Sequence, residues 1–224
     1  MMPMLYETPS KPHILLLSLA PDISFADRYS DVACELFRRS QFQQVSTLRD
    51  ALDYFRDTVP SAVIVSDGGI TKPCNTAVRT QLKNYLTHGG IVIFGLDFPY
   101  FVGRSNLDTL FHNYFGLPWK SGDFEETTVF LNLHVADAIP SAGQLVREYD
   151  LGALYLKHVK REEALYLPSP DYMVDRCRVR PERRTELDHS PVAWTKLGGG
   201  WIGYIGDVNR NPGSDEALFA MCGL

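Results

Sequence analysis

A chain of 224 residues, 45% hydrophobic and 22% charged, has ordinary globular composition and the length for one large domain. Its formal net charge of −5 argues against the broad basic surface needed to bind nucleic acid non-specifically or to sit on an anionic membrane. The apolar run Ile14 to Leu19 is too short to cross a bilayer and, with only Lys11 before it, makes a poor signal peptide. The expectation is an intracellular, cytoplasmic protein.

Met1 to Pro12 carries three prolines and little periodicity, which predicts a loose arm before a single domain over 13–224. His13 to Leu19 reads as a buried strand, followed by a loop at Pro21-Asp22-Ile23-Ser24. Phe25 to Arg39 is expected as a helix with Tyr29, Val32, Ala33, Leu36 and Phe37 on one face. Phe42 to Val45 is a short strand. Ser46-Thr47 can cap a helix over Leu48 to Arg56, with Leu48, Leu52 and Phe55 inward and Pro60 as the stop. Ala62 to Ser66 is a strand apolar on both faces, closed by Asp67-Gly68-Gly69. Thr76 to Leu86 has helical spacing at Val78, Leu82, Tyr85 and Leu86. Gly89-Gly90 then opens a second such strand, Ile91 to Gly95, followed by Leu96, Asp97 and Pro99.

This β-α alternation predicts an α/β fold, a doubly wound (flavodoxin-like), mostly parallel sheet with helices on both faces. His13–Leu19, Ala62–Ser66 and Ile91–Gly95 should lie parallel at its centre. The C-terminal half reads as an antiparallel addition. It holds a helix over Asn106 to Tyr114 with Leu107, Leu110, Phe111 and Tyr114 inward, and a half-buried strand over Thr127 to Leu133. Gly152 to Lys157 and Ala164 to Leu167 read as strands around the turn Lys160-Arg161-Glu162-Glu163. The arginine-rich stretch Asp171 to His189 reads as an exposed loop or edge strand. A hairpin follows, Pro191–Leu197 and Trp201–Asp207 about Gly198-Gly199-Gly200, and Ser214 to Met221 closes the chain as a helix. Cys34, Cys74, Cys177 and Cys222 have no paired spacing, so free thiols are expected. The six histidines show no metal spacing, so neither a metal nor another cofactor is expected.

Three stretches resemble the class I glutamine amidotransferase-like fold and, within it, the trehalose-utilisation (ThuA-like) branch. They are the helix and strand from Leu82 through Gly89-Gly90 to Ile93, the Asp67-Gly68-Gly69 loop, and the ending from Pro191-Val192 through Gly198-Gly199-Gly200 to Asp207. The resemblance covers roughly residues 12 to 224. It also implies departures. Asp97 falls where those amidotransferases carry their cysteine, and no histidine stands near Asp207 to Asn209, where their base falls. A thiol mechanism needs both groups, so glutaminase chemistry is not expected.

Strands that end on one edge place their loops together, which selects the candidate residues. Asp97 is the first, as general base, ligand contact or nucleophile, against the plainer role of capping its own loop. The amides of Gly68 and Gly69 could meet an anion or carbonyl oxygen, or the glycines could simply form a turn with positive φ. Cys74, after Pro73 at a helix start, and His134, after a strand, are two further catalytic candidates. Asp207 and Asn209 are candidate ligand contacts, with loop capping as the alternative. The expectation is that Asp97, Gly68, Gly69 and Asp207 converge in one pocket. Three functions follow: a module that binds a small molecule or a protein, an enzyme using Asp97 on a small and sugar-related substrate, or a subunit that forms a homodimer through the aromatic segment Phe98 to Trp119.

Overall fold

The computed structural model describes residues 10–20, 25–169 and 188–224. The expectations for residues 1–9, the loop 21–24, residues 171–187 and Cys177 lie outside them. Ten strands form one sheet. In chain order they are β1 (His13–Leu17), β2 (Gln41–Val45), β3 (Ala62–Val65), β4 (Ile91–Phe94), β5 (Lys120–Leu131), β6 (Glu148–Lys157), β7 (Ala164–Pro168), β8 (His189–Ser190), β9 (Val192–Leu197) and β10 (Gly200–Ile205). Their order across the sheet is β2-β1-β3-β4-β10-β9-β7-β5-β6-β8. The first five are mutually parallel, with Leu17 beside Val65 and Val65 beside Phe94. That is the flavodoxin-like order, with β10 taking the fifth place. The remaining pairings are antiparallel, as expected of the C-terminal half.

Among the described residues the α-helices are α1 (Phe25–Arg28), α2 (Ser30–Arg39), α3 (Leu48–Asp57), α4 (Thr76–Thr87), α5 (Phe98–Phe101), α6 (Arg104–Asp108), α7 (Leu133–Ala136) and α8 (Pro212–Cys222). Alternation along the strands sorts their side chains into two cores. Ile14 and Leu16 pack with α2 and α8 on one face, while Leu15 and Leu17 pack with α3, α4 and the segment 98–119 on the other. Phe98, Phe111, Phe115 and Trp119 are buried in that second core, so most of the aromatic segment is packing. Tyr100 and Phe101 are its exposed aromatics.

Several boundaries differ from the sequence reading, each for a local reason. The helix expected over Phe25 to Arg39 breaks at Tyr29, and its inward stripe is Val32, Ala33 and Leu36. Phe37 stays exposed and packs edge-on against Phe42 at 4.9 Å. In α3 the buried residues are Ala51 and Tyr54, with Leu48, Leu52 and Phe55 only partly covered. The helix expected over Asn106 to Tyr114 begins at Arg104 and continues as a π-helix over Thr109–Phe115. β5 starts at Lys120 rather than Thr127 and ends at Leu131. There the Asn132 amide donates to Arg161 O (2.9 Å) and Ala164 O (3.0 Å), and Leu133 turns outward at the start of α7. His189, read with the exposed stretch, is buried in β8.

The Gly198-Gly199-Gly200 turn does form the β9–β10 hairpin. Gly198 has φ 64°, and the turn lies against the end of α4, with Gly199 N donating to Thr87 O (3.2 Å) and Trp201 N to Gly90 O (2.9 Å). This contact fixes β10 beside β4, and so sets which loops share a rim. Among the described residues no helix is long and apolar enough to cross a membrane.

Candidate functional site

The loops after β1, β3, β4 and β10 leave the sheet on one edge. Chain order reverses between β1 and β3, and there the crevice is filled from within. The buried Asp67 carboxylate accepts from Ser18 Oγ (3.1 Å), Ala20 N (3.1 Å) and Gly69 N (2.7 Å). Gly68 and Gly69 open a 3₁₀ turn over Gly68–Thr71, and neither has positive φ. Glycine is required there for close approach. A Cβ on Gly68 would stand 2.8 Å from Phe101 O, and one on Gly69 2.6 Å from Leu19 C. The Gly69 amide is thus taken up by Asp67, and Gly68 is covered by backbone.

The open part of the rim lies one strand further, between β4 and β10. After β4 the chain turns at Leu96, which has φ 61°. A left-handed conformation costs a residue with a side chain about 1–2 kcal/mol. Leu96 holds it by packing its side chain into the first core, where it is 9% exposed. Asp97 already has helical backbone, φ −79° and ψ −9°. The strained tip is therefore Leu96, one residue before Asp97.

Asp97 does not cap its own helix through its side chain. Its Oδ1 accepts from Arg28 Nη1 (2.6 Å) and Tyr29 Oη (3.0 Å), while Oδ2 makes no hydrogen bond among the described residues. The ion pair is partly open to solvent, with the side chains 27% and 23% exposed, so it contributes no more than about 1 kcal/mol. Its value is orientation. The Asp97 hydrogen bond strengthens the hold of Arg28 on its proton. Burial, and then the Asp97 charge, push the Tyr29 phenol up, so it remains a donor. The Arg28 guanidinium lies 5.7 Å from the Phe101 ring centre. Arg210, itself at φ 58°, lies 5.9 Å from the Tyr29 ring centre and donates from Nη1 to Arg28 O (2.6 Å).

Asp207 is buried and turned into its own loop. It accepts from Asn209 N (2.7 Å), Arg210 N (3.1 Å) and Asn211 N (2.7 Å), and so shapes the segment that carries Arg210. Asp215, in the first turn of α8, lines a hollow of about 20 Å³ with Asp207, Tyr29 and Leu96. Burial, aided by the charges of Asp207, Glu216 and Asp31, pushes its carboxyl up to about 6, against the opposing effect of Arg210. Asp215 is not among the residues singled out from the sequence. A signal was present: residues 217–222 are apolar all round, and a helix so buried draws its first turn out of water.

A larger hollow adjoins this one through Tyr29, Leu96 and Arg210, and a second shares Tyr100 and Val208 with that larger one. A polar cleft of about 230 Å³ is lined by Arg28, Tyr29, Leu96, Asp97, Tyr100, Val208 and Arg210. A wider groove of about 460 Å³ runs on past Tyr100 and Val208 to Asn209, Arg104 and Phe124. The expected convergence is therefore only partial. Asp97 lines the polar cleft, Asp207 the small hollow and Asn209 the groove, while Gly68 and Gly69 line none of the three. Cys74 is exposed in a 3₁₀ turn before α4 and also lines none of them. His134 lies at the opposite edge, because β5 runs antiparallel to β10 and carries its carboxyl end away from Asp97. The described cysteines, Cys34, Cys74 and Cys222, are free thiols. Among the described residues no three acidic, histidine or cysteine side chains are placed to hold a metal.

The sequence matches no family model and no curated protein. Solved structures do match. A protein of Bacteroides uniformis described as ThuA-like aligns over 98% of this chain and 93% of its own, with TM-score 0.55 and 11% identity. A second ThuA-like protein, from Parabacteroides merdae, aligns over 96% and 91%, with TM-score 0.54 and 12% identity. The chain has the glutamine amidotransferase-like fold of ThuA-like proteins. A β-galactosidase from Bacillus circulans sp. alkalophilus also aligns, at TM-score 0.59 and 12% identity; the match takes in 95% of this chain but only 31% of that enzyme. Identities this low carry the fold and nothing finer.

Proposed function

We propose that this protein is a binding module for hydroxyl-rich small molecules, built on the ThuA-like fold without cysteine-dependent glutaminase chemistry. The observation that carries the proposal is the tip of β4. A sharp strand-to-helix turn exposes whatever residue takes the strained conformation. Here that residue is Leu96, its side chain in the core, followed by Asp97 clamped between Arg28 and Tyr29. Among the described residues, neither a thiol nor an imidazole lines the polar cleft.

What lines it instead suits adjacent hydroxyls. Asp97 Oδ2 is an acceptor with no hydrogen bond among the described residues, and the guanidiniums of Arg28 and Arg210 offer donors beside it. Arg28 and Asp97 pair their charges, and Arg210 adds a second cation to the lining. The β-galactosidase neighbour is named for a sugar substrate, and a sugar is one such hydroxyl-rich ligand; this is analogy of fold alone. The test is calorimetric titration with glucose, galactose and myo-inositol. At least one should bind, and Asp97→Ala should weaken it about tenfold or more. Ammonia release from glutamine, lost on Asp97→Ala or Cys74→Ala, would overturn the proposal.

A second reading, an enzyme acting on the same ligands, is favoured by Asp215, because an acid with a proton affinity near 6 suits general acid catalysis near neutral pH. It predicts turnover of an aryl glycoside that falls as pH rises through about 6 and is lost in Asp215→Asn.

A further inference from the structure

The polar cleft of about 230 Å³ falls short of the roughly 300–1,000 Å³ of most small-molecule sites. The groove of about 460 Å³ lies within that range and shares Tyr100 and Val208 with the cleft. The two halves differ in chemistry. The first presents Asp97, Arg28 and Arg210. The second is bounded by Tyr100 and Phe124, two aromatics 69% and 53% exposed, over a floor that includes Leu154. Its one cation among the described residues, Arg104, donates to Gly122 O (2.6 Å) and stands 3.6 Å from Asp123. Asn209 adds a neutral polar edge.

We propose that the site is bipartite and takes a glycoside, with the hydroxyl-rich ring in the polar cleft and a second, uncharged ring in the groove against Tyr100 and Phe124. This rests on the binding function proposed above. A pyranose and an aryl group both present a flat apolar face, which an exposed aromatic ring covers while the polar edges stay solvated. Lining by two aromatics, with the Arg104 charge partly offset by Asp123, favours such a ring. Tyr100 and Val208 line both hollows, which places the two rings side by side.

The experiment titrates the full chain with methyl and phenyl glycosides of glucose and galactose, and with maltose. The phenyl glycoside should bind about tenfold more tightly than the methyl one, and a matching gain with maltose would assign a sugar as the second ring. Phe124→Ala, at an exposed position, should erase the gain and leave the methyl glycoside's affinity unchanged. Asp97→Ala should weaken both. Equal affinity for methyl and phenyl glycosides and maltose, or a Phe124→Ala effect equal on all of them, overturns the bipartite site alone. Absence of binding by every probe overturns this inference together with the function it rests on.

Discussion

Asp215→Asn tests the electrostatics of the rim. The carboxyl is raised from its ordinary 3.8 to about 6, chiefly by burial in the first turn of α8. At about 1.4 kcal/mol per pH unit, ionising it in the folded state costs roughly 3 kcal/mol more than in the unfolded chain. The residue is only partly buried, so solvent screening reduces this to about 1.5 kcal/mol. A carboxylate in a helix's first turn also gains about 0.3–1 kcal/mol from the macrodipole, which the amide loses. The net expectation is that Asp215→Asn is about 1 kcal/mol more stable than wild type at pH 8. For a chain of this length that is roughly 2–4 °C in melting temperature. The folded state holds this proton more tightly, so the wild-type contribution is fully favourable below 3.8 and is lost as pH rises through about 6. The advantage of the variant should therefore vanish at the acid end and reach its plateau above pH 7. Thermal unfolding of both proteins from pH 4 to pH 8 reads this directly. A pH-independent difference, or a variant less stable at pH 8 than at pH 4 relative to wild type, refutes the reasoning.

Three other substitutions test how the rim is built, each by urea unfolding. Asp67→Ala leaves the amides of Ala20 and Gly69 and the Ser18 hydroxyl without their acceptor, and at about 1–3 kcal/mol per buried group should cost 3 kcal/mol or more; a cost under 1 kcal/mol contradicts the filled crevice. Leu96→Gly relieves about 1–2 kcal/mol of backbone strain but empties a buried leucine site worth about 2–5 kcal/mol, so a net loss of about 1–3 kcal/mol is expected, and a gain in stability would show that Leu96 is not held by the core. Gly69→Ala drives a methyl to 2.6 Å from the Leu19 carbonyl carbon, backbone against backbone, and should cost about 1–3 kcal/mol; a neutral result contradicts the close approach.

The parallel half of the fold was legible because its signals are local. Two-faced apolar strands, glycine pairs and helical spacing each occupy a dozen residues or fewer, and β1, β3 and β4 lie where those signals place them. β10 joining β4 across more than a hundred residues was not legible, because no local signal marks which distant strand it pairs with. Within the site, Asp97 was legible as a residue ending a central strand. Its partners were not, because Arg28 and Tyr29 come from α1 and the break that follows it, and nothing in the sequence marks that break. Gly68 and Gly69 misled because a glycine pair reads alike whether it serves φ, open amides or close packing; Asp67 decides among these, and its bonds to Ser18 and Ala20 cross between strands. His134 misled because a strand end carries no label for which edge it reaches until sheet order is known.

The central claim is that the Asp97 cleft binds a hydroxyl-rich molecule. Backbone amide chemical shifts measured during titration with glucose, galactose and myo-inositol test it most directly. The account predicts saturable shifts centred on Leu96, Asp97, Tyr100, Val208 and Arg210, and their loss in Asp97→Ala. Saturable shifts centred elsewhere, or shifts at those residues that persist unchanged in Asp97→Ala, would contradict it.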